Sequence, residues 1–381
     1  MNVKTLALAA AAAAAATSVQ AADLPLAAEP VNYVKACDAF GAGYFQLPGK
    51  DTCIKLGGRI RAQYVSHDLG EGLGDSVDYL NDGDPSTDTD NDYSSYVRGY
   101  IYFTSMTATD FGTIKTYTEL ENEWNQDGGG SRTTKVNDAW VQIGADYGSF
   151  LFGREGSAFD GFTGYTWIGP VGGAWSDQST LQASFTADLG NGVTATASIE
   201  DSNYRGGEKN AVDFVGALKL SQGWGSLKLA AAAHNKAAEV GKEDGDGYGY
   251  ALGATAVFNL DMVKEGTEVT FQAQYADEAG SYIGIDSDLV AVHYTKGYNL
   301  SAGLETSLTE KVSAQLDLAY IDVESTFDDT EVTLYSVNGS VVYSPVPGLG
   351  LALAAGWADG EVNDKNVEDV TKVGARVQYT F

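Results

Sequence analysis

Apolar and polar residues alternate with period two through most of this chain. Ile54, Leu56, Ile60, Ala62 and Tyr64 share one face of a stretch whose other face is Lys55, Arg59, Arg61 and Gln63. The same pattern recurs in Leu181 to Leu189, Val193 to Glu200, Val269 to Tyr275 and Val312 to Tyr320. It returns at the end, where Val373, Ala375, Val377, Tyr379 and Phe381 oppose Lys372, Gly374, Arg376, Gln378 and Thr380. Strict alternation over such lengths predicts β-strands with one apolar face. The pattern predicts about 16 strands, the first near 54–65 and the last near 370–381, with one read at 289–308. Their length suits tilted membrane crossings.

The connections sort into two kinds. Every second one is short, as in "TATDF", "ADY", "GNG", "SQGW" and "VPG". The others are long and polar; residues 66–94 hold nine carboxylates and no Lys or Arg. Short turns on one rim and long loops on the other mark an all-β, 16-stranded antiparallel transmembrane β-barrel of the outer membrane. A soluble sandwich would also alternate, but this many strands would have to split into two domains, and no linker is evident. A terminal strand with an apolar face and an open edge is hazardous in water. It is safe where the apolar face meets lipid and the edge pairs with the first strand.

The N-terminus has another purpose. Lys4 precedes an apolar run from Leu6 to Ala16, followed by small residues around Val19, Ala21 and Ala22. This reads as a secretory signal peptide over 1–21, cleaved after 21 or 22. Residues 22–53 then form a separate segment ahead of a barrel over 54–381. In an exported chain the isolated pair Cys37 and Cys53 predicts a disulfide. Closing its 15-residue loop contributes about 3 kcal/mol on a chain-entropy account.

Charge narrows the function. The chain carries 52 Asp and Glu against 23 Lys and Arg, a net charge of -29. Nucleic acid is excluded as a partner, since its phosphates need a basic surface. A barrel of this size leaves an aqueous lumen. With the polar parity turned inward, Lys55, Arg59 and Arg61 on the first strand, Arg98 on the second and Lys115 on the third face that lumen. Lys372 and Arg376 join them across the closure, which makes one basic wall in an acidic protein. The segment 156–179 is rich in Gly and aromatics and is the candidate for a loop folded into the pore. Its acids, Asp160 and Asp177 with Glu155 at the base, are expected opposite the basic wall. Opposed charges across a narrow wet gap would create a transverse field.

The stretch "EPVNYVKACDAFGAGYFQLPGKDTCIKLGGRIRAQY" resembles the N-terminus of the alphaproteobacterial porin family in its Cys pair, its "KLGG" strand entry and the preceding "AADLP". "DAWVQIG", "YGSFLFGRE" and the terminal aromatic are similar as well. The resemblance implies a homotrimer of 16-stranded barrels in the Gram-negative outer membrane. Such barrels sit among lipid and lipopolysaccharide and pass small hydrophilic solutes and ions by passive diffusion. It also implies that Phe381 is read as a barrel-assembly signal.

Catalytic chemistry finds little support. The histidines are His67, His234 and His293, and no GxSxG, HExxH or P-loop pattern occurs. An outer-membrane hydrolase and a plugged structural or adhesive barrel are the competing readings. Neither a cofactor nor a metal is implied. Asp88, Asp90 and Asp92 have calcium-loop spacing, but Tyr93 stands where such a loop needs Gly. These acids read as solvated loop, with a divalent-cation bridge to lipopolysaccharide phosphates as the alternative.

Overall fold

The computed structural model describes residues 34–66, 69, 93–125, 133–173, 175–236, 247–285, 295–325, 329–366 and 369–381. The predicted signal peptide, the calcium-like acids, most of the 66–94 loop, His67 and His293 lie outside the described residues. The chain divides into a unit ending at Cys53 and a barrel beginning at Ile54. In the first unit, Lys35–Ala36 pairs with Phe45–Gln46, and Cys37 joins Cys53 in a disulfide.

The barrel has sixteen strands. They are β1 (Cys53–Ser66), β2 (Tyr93–Thr109), β3 (Gly112–Asn125), β4 (Thr133–Ala145), β5 (Gly148–Gly156) and β6 (Ser179–Gly190). Then come β7 (Val193–Asp201), β8 (Val212–Gln222), β9 (Gly225–Asn235), β10 (Tyr248–Asn259) and β11 (Glu268–Asp277). The last are β12 (Thr295–Thr309), β13 (Val312–Ser325), β14 (Glu331–Val346), β15 (Leu349–Val362) and β16 (Val370–Thr380). The strand read at 289–308 is described only from Thr295, because 286–294 lie outside the described residues.

Consecutive strands are antiparallel, and β16 closes on β1 from Gly374↔Val65 to Thr380↔Arg59. Phe381 extends the seam. Its N–H donates to the Gly58 carbonyl at 3.0 Å, and the Gly58 N–H returns the bond to the Phe381 carbonyl at 3.0 Å. Closure matters because hydrocarbon offers no water to an unpaired backbone group. Most short connections are two-residue turns. In the β6–β7 turn both Asn191 and Gly192 have positive φ (53° and 75°), which suits the twist of a tight hairpin.

The pattern is inside-out relative to a water-soluble protein. Along β11, Phe271 is 55% exposed whereas Gln272 is 4% exposed; Leu353 on β15 is exposed between buried Ala352 and Ala354. Apolar side chains therefore face outward to lipid, and polar ones face the lumen. Aromatics form two outer girdles. Tyr298–Tyr320 and Tyr335–Trp357 pack in tilted pairs toward the long-loop rim, while toward the short-turn rim Trp224–Phe258 is tilted and Tyr379–Phe381 stacked. Amphipathic rings favour such interfaces.

The terminal ring also explains a small residue. A Cβ at Gly58 would come within 2.5 Å of the Phe381 ring and 3.0 Å of the Tyr100 carbonyl. Gly58→Val should therefore destabilise the seam by about 1–3 kcal/mol, as overpacking does. Heat-modifiability on gels checks this: the variant barrel should unfold at a lower temperature than the parent.

Candidate functional site: a narrowed lumen

The described residues of the connection from β5 to β6, 157–173 and 175–178, lie against the inner wall. Its backbone is held by inward side chains of distant strands. Gln272 on β11 accepts from the Phe162 N–H at 2.7 Å. Asp317 on β13 accepts from the Tyr165 and Thr166 N–H groups, both at 2.8 Å, and from the Thr166 hydroxyl at 2.6 Å. On β14, Ser340 accepts from the Trp167 N–H at 3.2 Å, and the Asn338 amide donates to the Gly172 carbonyl at 2.6 Å. An irregular segment can be buried only if its backbone is satisfied in this way.

Its large side chains fill holes left by wall glycines. A Cβ at Gly303 would lie 2.3 Å from the Phe162 ring, and one at Gly350 would lie 2.2 Å from the Trp167 ring. Ile168, 1% exposed, packs with Val65, Val342, Ala352 and Ala354. The tip thus reaches the β16–β1 seam, and the segment covers much of the wall from β10 to β16.

The root is fastened by charge. Arg205 follows β7 in the 3₁₀ turn Ser202–Arg205 and is 2% exposed. It pairs with Asp160 at 2.7 Å and donates to the Ser176 hydroxyl at 2.9 Å and the Ser281 carbonyl at 3.0 Å. Its guanidinium stacks on the Tyr282 ring at 4.0 Å. Burial opposes its charge, but Asp160, Tyr282 and Glu200 together more than offset this and hold the guanidinium above its ordinary pKa. The Tyr282 hydroxyl donates to Asp213 at 2.7 Å, and Asp213 also meets His234 Nδ1 at 2.8 Å. Burial first, with Asp213 beside it, pushes the Tyr282 phenol well above its usual range, so it remains a neutral donor. His234 is sealed in this network at 1% exposure.

The wall from β16 through β1 to β2 holds two kinds of arginine. Arg98 is neutralised: it pairs with Glu121 at 3.3 Å and with Glu123, while Lys135 also reaches Glu121 at 3.1 Å. Arg59, Arg61 and Arg376 form no ion pair among the described residues. Arg376 donates to Gln63 Oε1 at 2.8 Å, Arg61 donates to Gln378 at 3.2 Å, and Arg59 lies 4.0 Å from the Tyr100 ring centre. Lys115 stands over the Trp140 ring at 5.2 Å. Lys55 and Lys372 fall on the same inward alternation of β1 and β16.

The predicted residues therefore have different situations. Asp160, expected to face the pore, is instead consumed by Arg205, because the segment's root lies under the β7–β8 connection. Asp177 is exposed, and Glu155 is half-buried at the end of β5. Sequence reading missed Arg205 and the acids Glu119, Glu121 and Glu123. Those acids were detectable, since "ELENE" places all three on the inward parity of β3.

A family model of the porin subfamily matches residues 23–380. The chain belongs to the porin subfamily. It is 34% identical over 259 residues to porin Omp2a of Brucella melitensis, covering 60% of this chain and 65% of that one. This chain thus spans somewhat under two thirds of that relative. Porin Omp2a of Brucella suis aligns over the whole of both chains at 29% identity. Among solved structures, the outer membrane channel DcaP of Acinetobacter baumannii superposes with a TM-score of 0.65 at 13% identity, covering 87% of this chain and 97% of that one. OmpT of Vibrio cholerae, solved in a trimer form, gives 0.56 at 13% identity, covering 87% and 100%. These two show the shared fold. A porin of this build is a barrel of the Gram-negative outer membrane.

Removing Arg205 leaves Asp160 buried without a countercharge, a change that costs about 3–5 kcal/mol. Arg205→Ala should loosen the root of the segment. Single-channel recording should show a noisier open state with a larger mean conductance, and Asp160→Asn should show a smaller effect of the same sign.

Proposed function

We propose that this porin forms a water-filled channel for passive diffusion of small hydrophilic solutes and ions, and that it is not an enzyme. The observation that carries the reading is the lumen's asymmetry. An anchored segment narrows the lumen as far as the β16–β1 seam, and the strands of that seam present Arg59, Arg61 and Arg376 with no ion pair among the described residues. Unpaired guanidinium groups stay charged at any physiological pH. Confined by low-dielectric walls, they focus a positive potential on the pore. Asp177 and Glu155 supply the negative side of a transverse field, while Asp160 and Arg205 cancel each other. Lys55, Lys115 and Lys372 extend the basic side, and Arg98 contributes little net charge.

The same reading makes the working unit a homotrimer, in line with the family and with the trimer form of OmpT. Lipid and lipopolysaccharide contact the outer faces. Phe381 serves assembly, since its ring lies on the lipid side of the seam. Residues 1–21 are removed on export.

Planar-bilayer recording tests the channel. The parent should give steady stepwise conductance; a plugged barrel would give none, and a hydrolase would show turnover without it. Neutralising Arg59, Arg61 and Arg376 to Gln should move the reversal potential toward cations. The shift should shrink at high salt, where the screening length falls to about 3 Å at 1 M. If Asp replacements within 66–94 moved selectivity further, the filter would lie at the mouth.

A further inference from the structure

We propose that the lumen holds a second anion site, a recess on the β8–β9 wall that takes small doubly charged oxyanions of the phosphate type. The proposal rests on the channel reading, since the ligand must reach the recess through the lumen. The recess measures about 360 Å³ and lies beside the root of the inward segment.

Its defining feature is a pair of lysines. Lys219 on β8 and Lys228 on β9 are direct cross-strand partners. Both are on the inward parity, because Leu218 and Leu229 on either side face outward at 52% and 49% exposure. Like charges placed opposite each other destabilise a sheet unless something bridges them. Lys228 uses one of its three N–H bonds on the Asp160 carbonyl. Lys219 is exposed to the lumen and makes no hydrogen bond or ion pair among the described residues.

The surroundings supply further donors. Thr194 is the register partner of Lys219 and lines the recess, as does Ser226. Thr255, the register partner of Lys228, also lines it, but its hydroxyl already donates to Gln272 at 2.8 Å. The acids in the lining are Glu155 and Asp160. The Asp160 carboxylate is occupied by Arg205, Ser176 and the Gln178 N–H. Two lysines therefore face one carboxylate without an ion pair. Two ammonium groups and adjacent hydroxyls match a compact dianion with several acceptor oxygens. A monovalent halide could neutralise only one of the ammoniums and would leave the hydroxyls unused. All of these residues face the lumen, so the ligand is a free solute rather than a lipid headgroup.

The test uses the full barrel, purified in a sugar-headed detergent that carries no phosphate. Inorganic phosphate and sulfate are titrated by calorimetry, with chloride as the comparison. In planar bilayers the chloride current is recorded with and without added phosphate, as a ratio within each variant. The parent should bind both dianions, and phosphate should reduce its chloride current. Lys219→Gln should weaken phosphate binding by about tenfold, the loss expected for one charge-assisted hydrogen bond. Lys219→Arg should restore most of it. The proposal is overturned if the parent binds phosphate no better than chloride, or if Lys219→Gln leaves binding unchanged. It is equally overturned if only the Arg59, Arg61 and Arg376 changes abolish the phosphate effect. A barrel that binds phosphate but conducts nothing would refute the channel reading and leave the recess standing.

Discussion

A backbone N–H or carbonyl in hydrocarbon has no water to turn to, and closure of the β16–β1 seam meets that constraint here. Every other property of the barrel depends on it. With the ladder closed, the outer face can be wholly apolar, and the lumen is left to polar side chains. The final residue belongs to this logic: Phe381 adds a reciprocal pair of backbone bonds with Gly58 beyond the last residue of β16. Its ring lies over Gly58, where a Cβ would come within 2.5 Å of it.

Closure also creates a problem inside. A cylinder of sixteen strands is too wide to be filled by wall side chains. The chain narrows it with one connection, whose burial needs polar anchors and shaped holes. Asp317, Gln272 and Asn338 satisfy its backbone, while Gly303, Gly350, Gly356 and Gly374 make room for Phe162, Trp167, Val171 and Ile168. Glycine inside a strand is weakening on its own terms. Here each such site is the imprint of a large side chain from the segment, so the wall and the segment specify one another.

The strands were legible because lipid on one side and water on the other impose a strict period of two. The inward direction of Arg59, Arg61, Arg98 and Arg376 followed from the same parity. The composition of 156–179 hinted at its packing, since Gly and aromatics suit a wall better than open solvent. The fastening of its root was not legible. Asp160 and Arg205 are 45 residues apart, and Asp317 is more than 150 residues from the backbone it holds. Local pattern carries no information about which inward carboxylate meets which loop. For the same reason Asp160 read as a pore acid, although the overlying turn supplies its partner.

The electrostatics follow from this division of labour. A chain with a net charge of -29 places many of its acids in the long connections between strands. Some of those kept inside meet cations: Asp160 pairs with Arg205, and Glu121 and Glu123 pair with Arg98. Charges that meet partners fix structure, and charges without partners fix the field. By that criterion the interior holds both signs: Arg59, Arg61 and Arg376 have no ion pair among the described residues, and Glu268, Glu305 and Asp317 meet only neutral donors in the contacts described. The net charge of the chain therefore counts acids of unlike situation, some cancelled by a cation and some held only by neutral donors.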